Sequence, residues 1–320
     1  MTIDHTKVTS TQSNFTVLVS LTDPALKTVA NGGHVANANG YDIGFYADSG
    51  GTTKLKWEVE KYNGTTGNLI AWVKIPSVSS TTDTLFYLFY GDPSITTNQS
   101  DPLNTWDSNF KAVYHLGNGT TLTATDSTGG NNGTLFNSPT ATAGKINGAA
   151  HFVHSSSQAI GLANPGDFPI ATAWTMETWV KPSTDGNVAL LWGGTSNNGP
   201  HMVLPGNNTW RVGFWGGADV NGTGVDTSAF HHIAGTFDGS SLRLYKDGSL
   251  IAGPVAASPA TSSNPGAVIG SAFGAFYFNG DVDELRISST NRSAAWITTE
   301  YNNQNSPGTF ITMGSENCAF

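Results

Sequence analysis

The sequence predicts an all-β protein made of two β-sandwich domains in tandem. Three observations carry this expectation. Apolar and polar residues alternate over short runs that recur at intervals of roughly 8–12 residues. Turn formers separate the runs, with 38 glycines in 320 residues and repeated Asn-Gly and Asp-Gly pairs. Charged residues are only 12% of the chain while aromatic residues are 11%, so core material is ample and disorder is excluded. The length accommodates two domains of roughly 100–200 residues each.

The first domain is expected over residues 1–106. Phe15, Val17, Val19 and Leu21 alternate with polar neighbours and predict a half-buried strand. Gly40-Tyr-Asp-Ile-Gly-Phe45 follows, and Ser49-Gly-Gly51 turns the chain. Leu55, Trp57 and Val59 alternate with Lys56, Glu58 and Glu60, giving a strand with a charged outer face. Beyond the Asn63-Gly64 turn, 68–75 and 84–90 are richer in apolar residues and read as more deeply buried strands. Trp57 and Trp72 are expected in the core. This segment resembles the bacterial domain family DUF2341. The matching residues are Phe15 to Leu21, Gly40 to Phe45, Trp57-Glu-Val-Glu-Lys-Tyr62, Ala71-Trp-Val-Lys-Ile-Pro76 and Leu88-Phe-Tyr-Gly91. The resemblance implies no activity. It implies a place beside laminin-G-type modules in large secreted bacterial proteins.

Residues 93–109 read as a short linker, and the second domain is expected over 107–320, C-terminal tail included. Ala112-Val-Tyr-His-Leu116 opens it, and a loop dense in oxygen atoms follows from Asp126 to Leu135. Gly144 to Phe152, Trp174-Thr-Met-Glu-Thr-Trp-Val-Lys-Pro182, Val188 to Trp192, His231 to Gly239 and Leu242-Arg-Leu-Tyr-Lys-Asp-Gly248 predict further strands and turns. The last strong stretch is Phe278-Asn-Gly-Asp-Val-Asp-Glu-Leu-Arg-Ile-Ser288, a turn and then a strand. Regular alternation puts Asp283, Leu285 and Ile287 on one face and Val282, Glu284 and Arg286 on the other. Residues 293–301 predict one short helix, and 309–313 a last strand returning to the N-terminal domain. The order of these segments resembles the concanavalin A-like domains of the laminin G (LamG) type, which implies a jelly-roll sandwich.

In that family rim loops hold structural calcium, so the resemblance implies a Ca²⁺ site at Asp126 and Asp283. A hard cation needs roughly six to eight oxygen ligands. The alternative is an Asx-turn at Asp126 and a hydrogen-bonded Asp283. For a ligand face, Trp192, His201, Trp210 and Trp215 are interleaved with Gly and Asn, and Trp192-Gly-Gly194 and Trp215-Gly-Gly217 place indoles at strand ends. Sugars present flat C–H faces and dense hydroxyls, which suit aromatic rings beside polar groups. Trp192, His201, Trp215 and Tyr277 are therefore the candidate carbohydrate-binding residues, against core packing as the plain alternative. His115, His231 and His232 are expected to be structural.

No catalytic residue is assigned. The chain has no Glu-x-Asp-x-x-Glu strand of the kind that sets two carboxylates about 5–5.5 Å apart. Glu284-Leu-Arg286 echoes a lyase strand, but Val282 stands where that strand carries Arg. The net charge of −9, with 14 Lys plus Arg, argues against nucleic acid, and no apolar run of roughly 18 residues predicts membrane insertion. The single Cys318 excludes an internal disulfide. The low-charge, Thr/Asn/Gly-rich surface points to a secreted or cell-surface protein. The polar start at Met1 suggests a piece of a larger multidomain chain whose signal lies elsewhere. The functions expected are, in order, non-catalytic binding of polysaccharide or surface glycan, a structural or adhesive spacer binding a protein partner, and a cryptic polysaccharide lyase or glycoside hydrolase.

Overall fold

The computed structural model describes residues 1–169, 171–186, 188–192, 199–259, 267–272 and 274–317, and the side chains of 165 and 188–192 lie outside that description, as does Cys318. Two compact units emerge, 1–107 with 298–320, and 108–297. The tail, counted with the second domain in the sequence reading, therefore packs in the first unit.

The first unit is built on three antiparallel strands, Gln12–Thr22, Asn68–Val78 and Lys56–Asn63, with Asn68–Val78 in the middle. Phe15, Val17, Val19, Trp57 and Val73 are buried as their alternation requires, and Trp72 is buried too. Phe45 and Phe86 close over them, with the Phe45 ring 5.8 Å from Trp57 and 6.4 Å from Phe86. The expected half-buried strand is more enclosed than alternation allows, because Thr16 and Leu18 are also buried. The reason lies in the tail. Helix Ala294–Asn305 starts at Ser293, whose hydroxyl accepts from Trp296 N, and it ends before Pro307. From Thr298 onward it lines the outer edge of Gln12–Thr22. The Asn303 side chain accepts from Leu18 N at 2.6 Å and donates to Leu18 O at 3.0 Å. One amide thus replaces a missing neighbouring strand. The strand Ile311–Thr312 then pairs with Thr2–Ile3.

The second unit is two antiparallel sheets face to face. Among the described residues, one sheet runs Thr140–Ala143, Gly148–Phe152, Gly280–Ser288, Trp174–Pro182, His231–Phe237, Ser241–Lys246, Ser249–Ala256, with Phe110–Tyr114 also on Gly280–Ser288. The other runs Asp219–Thr223, Thr209–Phe214, Pro200–Gly206, Val188–Trp192, Val268–Ile269, Ala159–Leu162, Gly133–Phe136. Trp174 and Phe237 from the first sheet meet Phe214 from the second, at 5.9 Å for Trp174–Phe214 and 5.1 Å for Phe214–Phe237. Aromatic burial of this kind dominates the stability of a sandwich.

Strand Gly280–Ser288 departs from regular alternation. Val282, Leu285 and Ile287 all belong to the core, so the face changes between 282 and 285. Glu284 supplies the change, with φ at 51°, in the left-handed region. Opposite it the register shifts, so that Trp179 pairs with Asp283 and Glu177 with Arg286. This is a β-bulge, in which one extra residue re-aims its neighbours.

Candidate functional site

The bulge sends Glu284 and Arg286 away from the core. Glu284 receives Arg286 Nη2 at 2.8 Å and lies 2.7 Å from His115 Nδ1. The side chains of Arg286 and Glu284 are 1% and 0% exposed and that of His115 is 11% exposed. These charged contacts tie His115, just after Phe110–Tyr114, to strand Gly280–Ser288. His231 is likewise held, between Asp247 at 2.6 Å and Asp226 at 3.2 Å.

Asp126, one of the two predicted calcium ligands, spends its carboxylate on hydrogen bonds within the loop. Asp126 is buried and its carboxylate accepts five donors. Val113 N and Thr128 N reach Oδ1, each at 2.9 Å. Thr128 Oγ1, Gly130 N and Asn131 N reach Oδ2 at 2.7, 3.1 and 2.9 Å. These donors fill the lone-pair directions, and their positive ends face where an ion would sit. Asp283 is held by a different group, accepting from Ile146 N at 2.8 Å. The Asp126 charge has a visible effect nearby. Burial first, and this carboxylate second, push the Tyr114 phenol well above its ordinary pKa.

The candidate ligand face is the outer side of the seven-stranded sheet. Inward residues of Pro200–Gly206 and Thr209–Phe214, namely Met202, Leu204, Trp210, Val212 and Phe214, join the core. Their neighbours face out. A single cross-strand row runs Trp192, His201, Gly213, Asp219 by Cα register. Gly213 is what lets the row close. A Cβ there would meet Asp219 Oδ1 at 2.3 Å, and without one the carboxylate lies over the glycine. Asp219 Oδ1 is 3.2 Å from His201 Nε2, and Oδ2 is 3.5 Å from Arg211 Nε. Arg211 Nε in turn donates to Asn221 Oδ1 at 2.8 Å. Arg211 and Asn221 are Cα partners in the next row, so strand pairing alone sets this geometry.

An aromatic wall stands beside the polar row. The Trp215 ring meets His201 edge-on at 6.0 Å and Phe276 at 5.9 Å. Val203 and Ala272 form the base of this cluster. His201 is buried, so it supports the face, while Trp215 and Phe276 are half-buried. Seven of the nine tryptophans, at 57, 72, 106, 174, 179, 210 and 296, are buried. Trp192 lies in the row by its backbone, and its side chain is outside the described residues. Among the tryptophans whose side chains are described, Trp215 is the one that is not buried.

Tyr277 does not join. Its carbonyl accepts from His154 Nδ1, and its ring meets that of His154 at 6.5 Å. Regular alternation would put Phe276 and Phe278 on one side. Instead Phe278 enters the core and Phe276, at φ 50°, turns to Trp215. Arg211, Asp219 and Asn221 escaped the sequence reading. The signal was present in Arg211-Val-Gly-Phe-Trp215, an alternating strand that brings Arg, Gly and Trp to one face.

The order of the two units agrees with the families their sequences match. Residues 39–128 match a family described as a domain of unknown function, DUF2341. Residues 154–298 match the concanavalin A-like lectin/glucanases superfamily. The chain is a DUF2341 domain followed by a concanavalin A-like domain. No curated protein matches the sequence. Similar solved structures include domain 4 of AbnA, a GH43 extracellular arabinanase from Geobacillus stearothermophilus, in complex with arabinotriose. It is 21% identical over 59% of this chain and 97% of that one, with a TM-score of 0.49. A Trypanosoma rangeli sialidase is 15% identical over 65% of this chain and 34% of its own, with a TM-score of 0.48. The binding domain of botulinum neurotoxin DC, in complex with SialylT, is 11% identical over 61% and 51%, with a TM-score of 0.45. No described helix is long and apolar enough to cross a membrane.

Proposed function

We propose that the concanavalin A-like domain is a non-catalytic carbohydrate-binding module, engaging polysaccharide or surface glycan on the outer face of its seven-stranded sheet. One observation carries this reading: a half-buried Trp215 beside the fixed polar row of Arg211, Asp219 and Asn221. An indole edge and face suit the C–H side of a sugar ring, and the polar row suits its hydroxyls. The side chains are held before any ligand arrives, which reduces the entropy lost on binding. The ion pair that Glu284 and Arg286 make with each other favours, in this reading, binding over lyase chemistry on that strand. In the DUF2341 domain Trp57, Trp72 and Trp106 are all buried, so this domain is read as a spacer and support. A secreted or surface setting within a larger bacterial protein follows from the same reading.

Electrophoresis of the intact chain through gels containing dissolved polysaccharides tests it. Retardation by a defined polymer is expected, with Trp215→Ala weakening affinity about tenfold or more, as for a central aromatic anchor. Equal retardation of wild type and Trp215→Ala would move the binding face elsewhere. No retardation by plant, algal or microbial glycans would favour the spacer reading.

A further inference from the structure

The groups around Trp215 specify the kind of sugar, an inference that rests on the glycan-binding reading above. Charge is the first constraint. Arg211 is the cation of the row, and Asp219 lies 3.5 Å from its Nε, so the pair offsets itself. The side chains of Arg211 and Asp219 are 35% and 26% exposed, so both reach the face. The whole chain carries −9, which disfavours anionic ligands in general. His201, the remaining titratable group in the row, is buried beneath.

Hydrogen-bonding capacity is the second constraint. Asp219 only accepts. Arg211 only donates, and its Nε is already used on Asn221. Asn221 gives its oxygen to that bond and keeps its amide NH₂ as a donor. The row therefore alternates an acceptor with donors. A hydroxyl both donates and accepts, so two neighbouring hydroxyls on one ring can give to Asp219 and take from Arg211 and Asn221. A carboxylate or sulfate only accepts. Placed against Asp219 in a hydroxyl's stead, such a group would donate nothing to it and set a like charge beside it.

Space is the third. Arg211 and Gly213 share one face of strand Thr209–Phe214, roughly 6–7 Å apart along it, and Trp215 follows at its end. Gly213 is itself buried, and Asp219 Oδ1 and Ala218 O fill the place of its missing Cβ, so a sugar ring would lie over the Asp219 carboxylate beside the indole.

We propose that this face takes a neutral sugar residue presenting a vicinal diol to Asp219, Arg211 and Asn221, and discriminates against uronic acid and sulfated sugars. Calorimetric titration of the intact chain with matched polymers tests it: galactan against polygalacturonate, and a neutral β-glucan against its C6-oxidised form. The neutral member of a pair is expected to bind at least tenfold tighter. Asp219→Ala is expected to weaken it on the order of ten- to a hundredfold, the loss typical of a charged hydrogen-bond partner. Asp219→Asn, which keeps the shape and removes the charge, is expected to narrow the gap between neutral and oxidised polymers. Circular dichroism of both variants shows whether the sheet is intact. A uronate polymer bound as tightly as its neutral partner, and lost in Trp215→Ala, overturns the neutral-sugar inference and leaves glycan binding standing. Neutral binding that survives both Asp219→Ala and Arg211→Ala overturns it as well. Failure of every polymer to bind overturns both.

Discussion

Asp126→Ala is expected to destabilise the concanavalin A-like domain by about 3–5 kcal/mol, the cost of stranding buried donors that one carboxylate now satisfies. Four backbone N–H groups and one hydroxyl converge on it, from Val113, Thr128, Gly130 and Asn131. Val113 sits on an edge of the core sheet and the others form the loop after it, so one side chain fastens loop to strand. Asp126→Asn should lose nearly as much, since its amide NH₂ would face donors. Urea unfolding followed by tryptophan fluorescence measures both. Excess EDTA should leave the wild-type melting temperature unchanged. A drop of several degrees in EDTA would mean that a cation, and not these five donors, holds the loop.

Asn303→Ala should cost about 2–4 kcal/mol, because it leaves Leu18 N and Leu18 O buried and unpaired. Strand Gln12–Thr22 pairs with Asn68–Val78 on one side, and the tail helix meets its other edge. Thr299 Oγ1 accepts from Thr9 N and Asn302 Nδ2 donates to Lys7 O, so the amide of Asn303 sits in a short polar seam. Asn303→Asp should be at least as damaging. It keeps the acceptor for Leu18 N but sets a buried charge against Leu18 O. A stability within about 0.5 kcal/mol of wild type for Asn303→Ala would mean that the seam contributes only shape, as expected for a surface substitution.

Much of the fold was legible because sandwich strands obey a period of two. Phe15, Val17 and Val19 face the core as their alternation requires, and Val188 to Trp192 is a strand. Legibility failed where the backbone left that period. Glu284 and Phe276 take left-handed conformations and re-aim their neighbours. Nothing in their side chains announces this. The role of Asn303 was hidden for another reason: it depends on a residue 285 positions away. The proposed ligand face was half legible. Indoles at strand ends flagged Trp192 and Trp215, and a backbone row does align Trp192 with His201. The polar half depends on Asp219 crossing over Gly213, a relation set by strand pairing between residues that look ordinary in sequence. Asp126 shows the limit of composition. An oxygen-rich loop suits a cation or a net of N–H donors equally, and melting with and without EDTA decides between them.

The most direct test of the central claim is ¹⁹F NMR of the intact chain labelled with 5-fluorotryptophan, titrated with oligosaccharides cut from neutral polysaccharides. Each indole reports separately, and single Trp→Phe variants assign the signals. The account predicts that the Trp215 resonance moves on binding while those of the seven buried indoles stay in place. Binding that shifts a buried indole of the first unit and leaves Trp215 still would contradict it.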